Sequence, residues 1–101
     1  MSVTCTQSDR CLTAAIQGEI DHHHARQVMA ELDRQIDAIL PGQLVLELGG
    51  LTFTDSSGIA VLIRAYRRMG QLGGSVIVKG APEQARKVFF AAGLQKLIRF
   101  E

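Results

Sequence analysis

Almost no net charge is left over in this chain: 11 Lys+Arg against 10 Asp+Glu give a formal charge of +1 over 101 residues. A phosphate-backbone binder carries a clear basic excess, so nucleic acid is not an expected partner. Long hydrophobic runs are also missing. No stretch approaches the ~20 apolar residues that span a bilayer, so no membrane partner is expected. Met1 to Arg10 is polar and lacks the apolar segment of a signal peptide, which points to the cytoplasm. Cysteine is scarce, with Cys5 and Cys11 alone. One short bridge is weak support for a secreted scaffold, and both read as reduced side chains in or near neighbouring strands. Repeats, low-complexity tracts and linkers are absent. The length suits one domain, residues 1–101, and a monomer is expected.

What is present is an ordered alternation of strand and helix signals. Ser2 to Gln7 and Cys11 to Gln17 read as strands around a Ser8-Asp9-Arg10 turn, giving an antiparallel hairpin. Asp21 then reads as the N-cap of a helix with an apolar stripe of Ala25, Val28, Met29, Leu32, Ile36, Ile39 and Leu40. Pro41-Gly42 stops it. Leu44 to Leu48 is nearly continuous apolar, as a central strand requires. A second helix runs from about Ser57 to Leu72, with Ile59, Leu62, Ile63, Tyr66 and Met69 at helical spacing. Ser75 to Lys79 is a strand. Pro82 suits the first turn of a third helix with Ala85, Val88, Phe89 and Ala92 inward, and Leu97 to Phe100 is a final strand. The order β-β-α-β-α-β-α-β implies an α/β domain. Its mixed, mostly parallel sheet should have four to five strands, with three to four helices. The expected radius of gyration is ~13 Å.

The densest chemical signal is Thr52-Phe53-Thr54-Asp55-Ser56-Ser57-Gly58, at the junction of an apolar strand and an amphipathic helix. Small polar residues there cap the helix and leave a hydroxyl at its positive end. One cap needs one such residue, and three in succession exceed that need. Gly58 removes a side chain beside the serines and lets another surface approach. The residues alone leave a structural cap and a phosphate-accepting hydroxyl equally open.

Other candidate chemistries are weaker. His22, His23 and His24 point about 100° apart on a helix, and no further Cys or His lies at a partner spacing, so no metal site is expected. They read as an exposed helix start or a pH-sensitive contact surface. A serine hydrolase fails at Thr54, where the nucleophile elbow needs glycine, so no catalytic residue is assigned. Gly70, Gly73 and Gly74 match no nucleotide-binding motif and read as a helix end. Arg64, Arg67 and Arg68 share one helix face, which reads as a solvated stripe or a dock for an acidic partner.

Several of these elements together resemble the STAS family of small bacterial regulatory domains, and within it the sporulation type of anti-sigma factor antagonist. The resemblance rests on Gly18-Glu19-Ile20-Asp21-His22-His23, Phe53-Thr54-Asp55-Ser56-Ser57-Gly58, Tyr66, Gly73-Gly74 and Gly93-Leu94 through Ile98-Arg99-Phe100-Glu101. His24 and Ala60 depart from the family pattern. The resemblance implies a non-enzymatic switch with no cofactor of its own. Such a protein binds an anti-sigma factor serine kinase, carrying ATP or ADP with Mg, and so frees a sigma factor for transcription. The kinase phosphorylates the serine after the Asp, here Ser56, with Ser57 as second choice. A PP2C-type phosphatase reverses it. Asp21, His22, Asp55, Ser57 and Gly58 are the expected partner-binding residues. The alternatives are an antagonist in general-stress sigma control, or a non-switching STAS interaction or sensor module.

Overall fold

In the computed structural model, which describes residues 1–101, β1 (Ser2–Ser8) and β2 (Cys11–Ile20) form the antiparallel hairpin. Asp9 and Arg10 make the turn with φ of 48° and 65°. Two positive φ values match the right-handed twist of paired strands, and Asp tolerates that region better than most side chains. The Arg10 carbonyl accepts from the Gly42 amide at 2.8 Å, which ties the turn to the entry of the next strand.

Helix α1 (Ala25–Ile39) is followed by β3 (Gln43–Glu47) and β4 (Leu51–Thr54). Then come α2 (Ser56–Gln71), β5 (Ser75–Lys79), α3 (Glu83–Ala91), a 3-10 turn (Leu94–Lys96) and β6 (Arg99–Phe100). The sheet order is β1-β2-β3-β5-β6, and β4 also pairs with β2. Only the β1–β2 pair is antiparallel; β2–β3, β2–β4, β3–β5 and β5–β6 run parallel. The expected mixed, mostly parallel sheet is therefore present, with three α-helices and six strands where the sequence pointed to four or five.

The added strand is β4. Gly49 and Gly50 punctuate the sequence like a loop, but they only jog the chain. The Leu51 amide returns to the Leu48 carbonyl, and the Gly18 amide donates to Gly50 O at 3.0 Å. The chain thus stays on the same side of β2. Strand β3 pairs with Cys11–Ala15, and β4 pairs with Gly18–Ile20 past an irregularity at Gly18/Glu19.

The core lies on one face of the sheet. Leu12, Leu44 and Val76 align across three strands, as do Ala14, Leu46 and Val78, and all six are buried. Period-two alternation sends them to the same side. There they meet Val28, Leu32 and Ile36 of α1, Val61 and Leu62 of α2, and Ala85 and Phe89 of α3 in one cluster. Burying one such side chain contributes roughly 1.5–3 kcal/mol, against about 1 kcal/mol for a cap. Packing therefore sets how each helix is rotated. In α2 the inward stripe is Gly58, Val61, Leu62, Ala65 and Met69. It is centred one residue earlier than the sequence stripe: Ile59 and Ile63 are half-buried and Tyr66 is 38% exposed.

Helix ends differ from expectation in detail. Asp21 is not the N-cap of α1; His24 holds that position after a short turn. Leu40 does not join the stripe of α1. It is a left-handed C-cap at φ 50°, exposed, with its amide on the Ile36 carbonyl. Helix α2 closes where Gly73 turns left-handed (φ 72°) and the Gly74 amide reaches Met69 O at 2.8 Å. Pro82 caps α3 instead of lying in its first turn, because its extended backbone (ψ 162°) cannot continue into the helix. The last strand begins at Arg99, since Leu94–Lys96 takes a 3-10 turn. The radius of gyration is 12.1 Å. No helix is long and apolar enough to cross a membrane.

Candidate functional site

Parallel pairing of β2 with β4 builds the site. The register sets Ile20 opposite Thr54, so the next residues, Asp21 and Asp55, leave the ends of adjacent strands together. Two contacts lock the junction. Thr54 Oγ1 donates to the Ile20 carbonyl at 2.9 Å, and the Asp55 amide reaches the same carbonyl at 3.4 Å. Thr54 is the one buried polar residue, and its hydroxyl is satisfied there.

Asp55 is the N-cap of α2. Its Oδ1 accepts from the Ser57 amide at 2.8 Å while its own carbonyl accepts from the Gly58 amide at 3.0 Å. The cap is therefore a carboxylate, and neither serine hydroxyl performs it. Ser56 is the first residue of the 16-residue helix and is exposed; Ser57 is half-buried. The aligned peptide dipoles of this helix end favour negative charge beside the Ser56 hydroxyl.

Gly58 faces the other way. It is buried, and a Cβ there would lie 2.1 Å from Thr54 Oγ1 and 3.3 Å from Phe89 Cε1. The close approach that glycine permits is intramolecular, between α2 and its own strand. The sequence points to Gly58 as a partner contact; here its missing side chain serves the packing of α2 on β4.

The α1 start lies beside this junction. Asp21 Oδ1 accepts from the His24 amide at 2.9 Å and lies 2.8 Å from His24 Nδ1. Partial desolvation raises the pKa of this carboxyl. The His24 amide, the charge and hydrogen bond of its imidazole, and the His23 amide lower it by more, so it sits below the usual aspartate value. His22 and His23 are exposed, their rings edge to face at 6.0 Å. His22, Ala25, Arg26, Met29, Ser57 and Ala60 line one shallow cleft. The structure thus brings His22 and Ser57 into one cleft, with Asp21, Asp55 and Ser56 next to them in the chain. No three His, Cys, Asp or Glu side chains gather in metal-ligating positions.

The arginine stripe divides. Arg64 binds Asp33 of α1 through Nε (2.9 Å) and Nη2 (2.6 Å), and Arg68 pairs with Asp37 one turn on. Arg67 has no such partner. Of the two readings of this stripe, neither anticipated a pair of ion bridges joining α1 to α2.

Sequence reasoning missed Gln84. From α3 its carboxamide accepts from the Thr54 amide at 3.1 Å and donates to the Thr54 carbonyl at 2.8 Å. It continues the hydrogen-bonding pattern of the sheet on the side of β4 away from β2, one residue before Asp55. No local pattern signals a partner 30 residues away. Phe53, also on β4, keeps 42% of its surface exposed next to the junction.

Comparison with known proteins bears on this arrangement. The STAS domain family model matches residues 2–101. The chain is 31% identical over 87 residues to an anti-sigma F factor antagonist of Paenibacillus polymyxa, covering 86% of this chain and 74% of that protein. Its fold is similar to that of the anti-sigma factor antagonist SpoIIAA in its unphosphorylated form, with TM-score 0.84 and 24% identity over 99% of this chain and 88% of the other. It is also similar to the phosphorylated form of the Bacillus cell fate determinant SpoIIAA, with TM-score 0.76 and 24% identity over 99% and 91%. By the family match across nearly its whole length, the chain belongs to the STAS domain family.

Proposed function

We propose that this STAS domain is an anti-sigma factor antagonist controlled by phosphorylation of Ser56. In this reading the bare form binds an anti-sigma serine kinase and displaces its sigma factor. Phosphorylation ends that binding, and a PP2C-type phosphatase restores it. The observation that carries the reading is the free Ser56 hydroxyl: Asp55 already caps α2, so the serine is exposed at the helix start without a structural duty. The named function of the Paenibacillus relative supports the antagonist role, and the existence of a phosphorylated SpoIIAA supports the modification.

A phosphate adds about −1.5 to −2 charge and three acceptor oxygens. The aligned peptide dipoles at the start of α2 favour an anion there, so the fold tolerates the modification. Docking does not, because a dianion faces the nucleotide phosphates of the kinase. A loss of about 3–4 kcal/mol lowers affinity a few hundred-fold, enough to switch without refolding. Asp21, His22, Asp55, Ser57 and Gly58 form the contact set with Ser56 in this reading, and the shared cleft of His22 and Ser57 supports it. Ser56 ranks before Ser57 because Ser57 is half-buried against its own cap.

Intact-mass measurement after incubation with the anti-sigma serine kinase of the same genome and ATP tests the assignment. One phosphate is expected on the wild type and none on Ser56→Ala, which still binds the kinase. Phosphate that persists on Ser56→Ala moves the assignment to Ser57. Ser56→Asp binds weakly.

A further inference from the structure

The helix starts around Ser56 open into a longer groove. The cleft lined by His22, Ser57, Met29 and Ala60 shares those last two residues with a second depression of about 510 Å³ between α1 and α2. The second depression continues past Ile63, Arg64, Arg67 and Arg68 to Gln71. Its apolar floor is Met29, Ala60 and Ile63. Its rim is basic, and the charges can be assigned. Arg64 and Arg68 are engaged by Asp33 and Asp37. Arg67 and, in the first cleft, Arg26 have no carboxylate partner. Four guanidinium groups thus face two carboxylates along one strip, in a chain whose whole formal charge is only +1. A solvated helix face would leave its arginines over polar neighbours. Here the unpaired cations flank exposed apolar surface.

We propose that this groove docks an acidic amphipathic helix of the same kinase that reads Ser56. Apolar residues one turn apart would lie on Met29, Ala60 and Ile63, and Asp or Glu on either side would meet Arg26 and Arg67. The inference rests on the proposed function for the identity of the partner, and adds the place and chemistry of its second contact. The Ser56 contact supplies the veto, and the groove supplies affinity and orientation.

The test uses the full chain and the ADP- and Mg-loaded kinase. Arg26→Glu and Arg67→Glu are made singly and together; both side chains are exposed and bonded to nothing in the chain, so folding is preserved. Each single reversal is expected to weaken binding about tenfold, with the double variant losing the salt dependence of the wild type. In the wild-type complex the methyl resonances of Met29 and Ile63 shift. If both variants bind as the wild type does, the acidic occupant is overturned, whether or not the methyls move. If the methyls stay unmoved in a tight complex, the groove is overturned. In either case a weakened Ser56→Asp leaves the phosphorylation switch standing. If the wild type neither binds the kinase nor accepts phosphate, the functional reading falls and this inference with it.

Discussion

The two helix starts of the site follow adjacent parallel strands and each opens with an aspartate, yet they are built differently. After β4, Asp55 caps α2 directly and the chain enters the helix at the next residue. After β2, Asp21 caps only a turn, and α1 begins four residues later with its histidine folded back onto the carboxylate. The α2 start needs no further side chain to close it, so its first hydroxyl is free. The α1 start closes on its own His24 and presents His22 and His23 outward. The first side chain is left free where one short side chain completes the cap, and the capping residue is engaged where its own ring closes on the aspartate.

Gly58→Ala tests the first half of this comparison most severely. The added carbon meets Thr54 Oγ1 at 2.1 Å, so either the helix start or the Thr54–Ile20 bond must give. A loss of about 3 kcal/mol in urea unfolding is expected. An unchanged midpoint would mean that the α2 start is not held by this close approach.

Gln84→Ala should come next. Both backbone groups of Thr54 lose their partner, at about 1–2 kcal/mol together. The Thr54 amide should exchange with solvent faster than the buried ladder of β3. Protection that survives the substitution would remove Gln84 as the residue that steadies the junction.

Asp55→Ala should cost about 1 kcal/mol, the usual worth of a cap, and fray the first turn of α2. Asp55→Asn should recover most of it, since Asn also accepts from the Ser57 amide. An equal loss in both variants would show that charge, and not the hydrogen bond, governs this end.

The smallest effect belongs to Asp21. Its folded pKa lies below the ordinary 3.8, so the folded state holds its proton less tightly than the unfolded chain does. The stabilisation is present above the unfolded value and is lost as pH falls through the folded one. Asp21→Asn should lower stability slightly at neutral pH and flatten the acid limb, so that the two stability–pH curves converge as pH falls below about 4. An acid limb that is the same in both proteins would contradict the Asp21–His24 closure.

Periodicity carried much of the fold. The hairpin, strand β3, strand β5 and the inward Val28, Leu32 and Ile36 of α1 are local patterns with local causes. Strand β4 was not legible, because two glycines read as a loop and Thr52 and Phe53 both face outward, breaking the alternation that marks a strand. The rotation of α2 was off by one residue because Val61 and Ala65 are smaller than Ile63 and Tyr66, and size alone favours the larger stripe. At the site, the junction at Ser56 was legible from its density of hydroxyls. The role of Gly58, the brace from Gln84 and the bridges from Arg64 and Arg68 were not, since each depends on a residue remote in sequence.

The sequence by itself determined where the chain turns from strand to helix and that a small hydroxyl stands at that turn, because caps, propensities and apolar spacing act over a few residues. Tertiary structure decided which of the polar residues is the cap, which glycine is inside, and that α1 and α2 meet along a basic groove. Those outcomes follow from the register of β4 on β2 and from the packing of three helices on one sheet face. They are many-body contacts, which no short window of sequence contains.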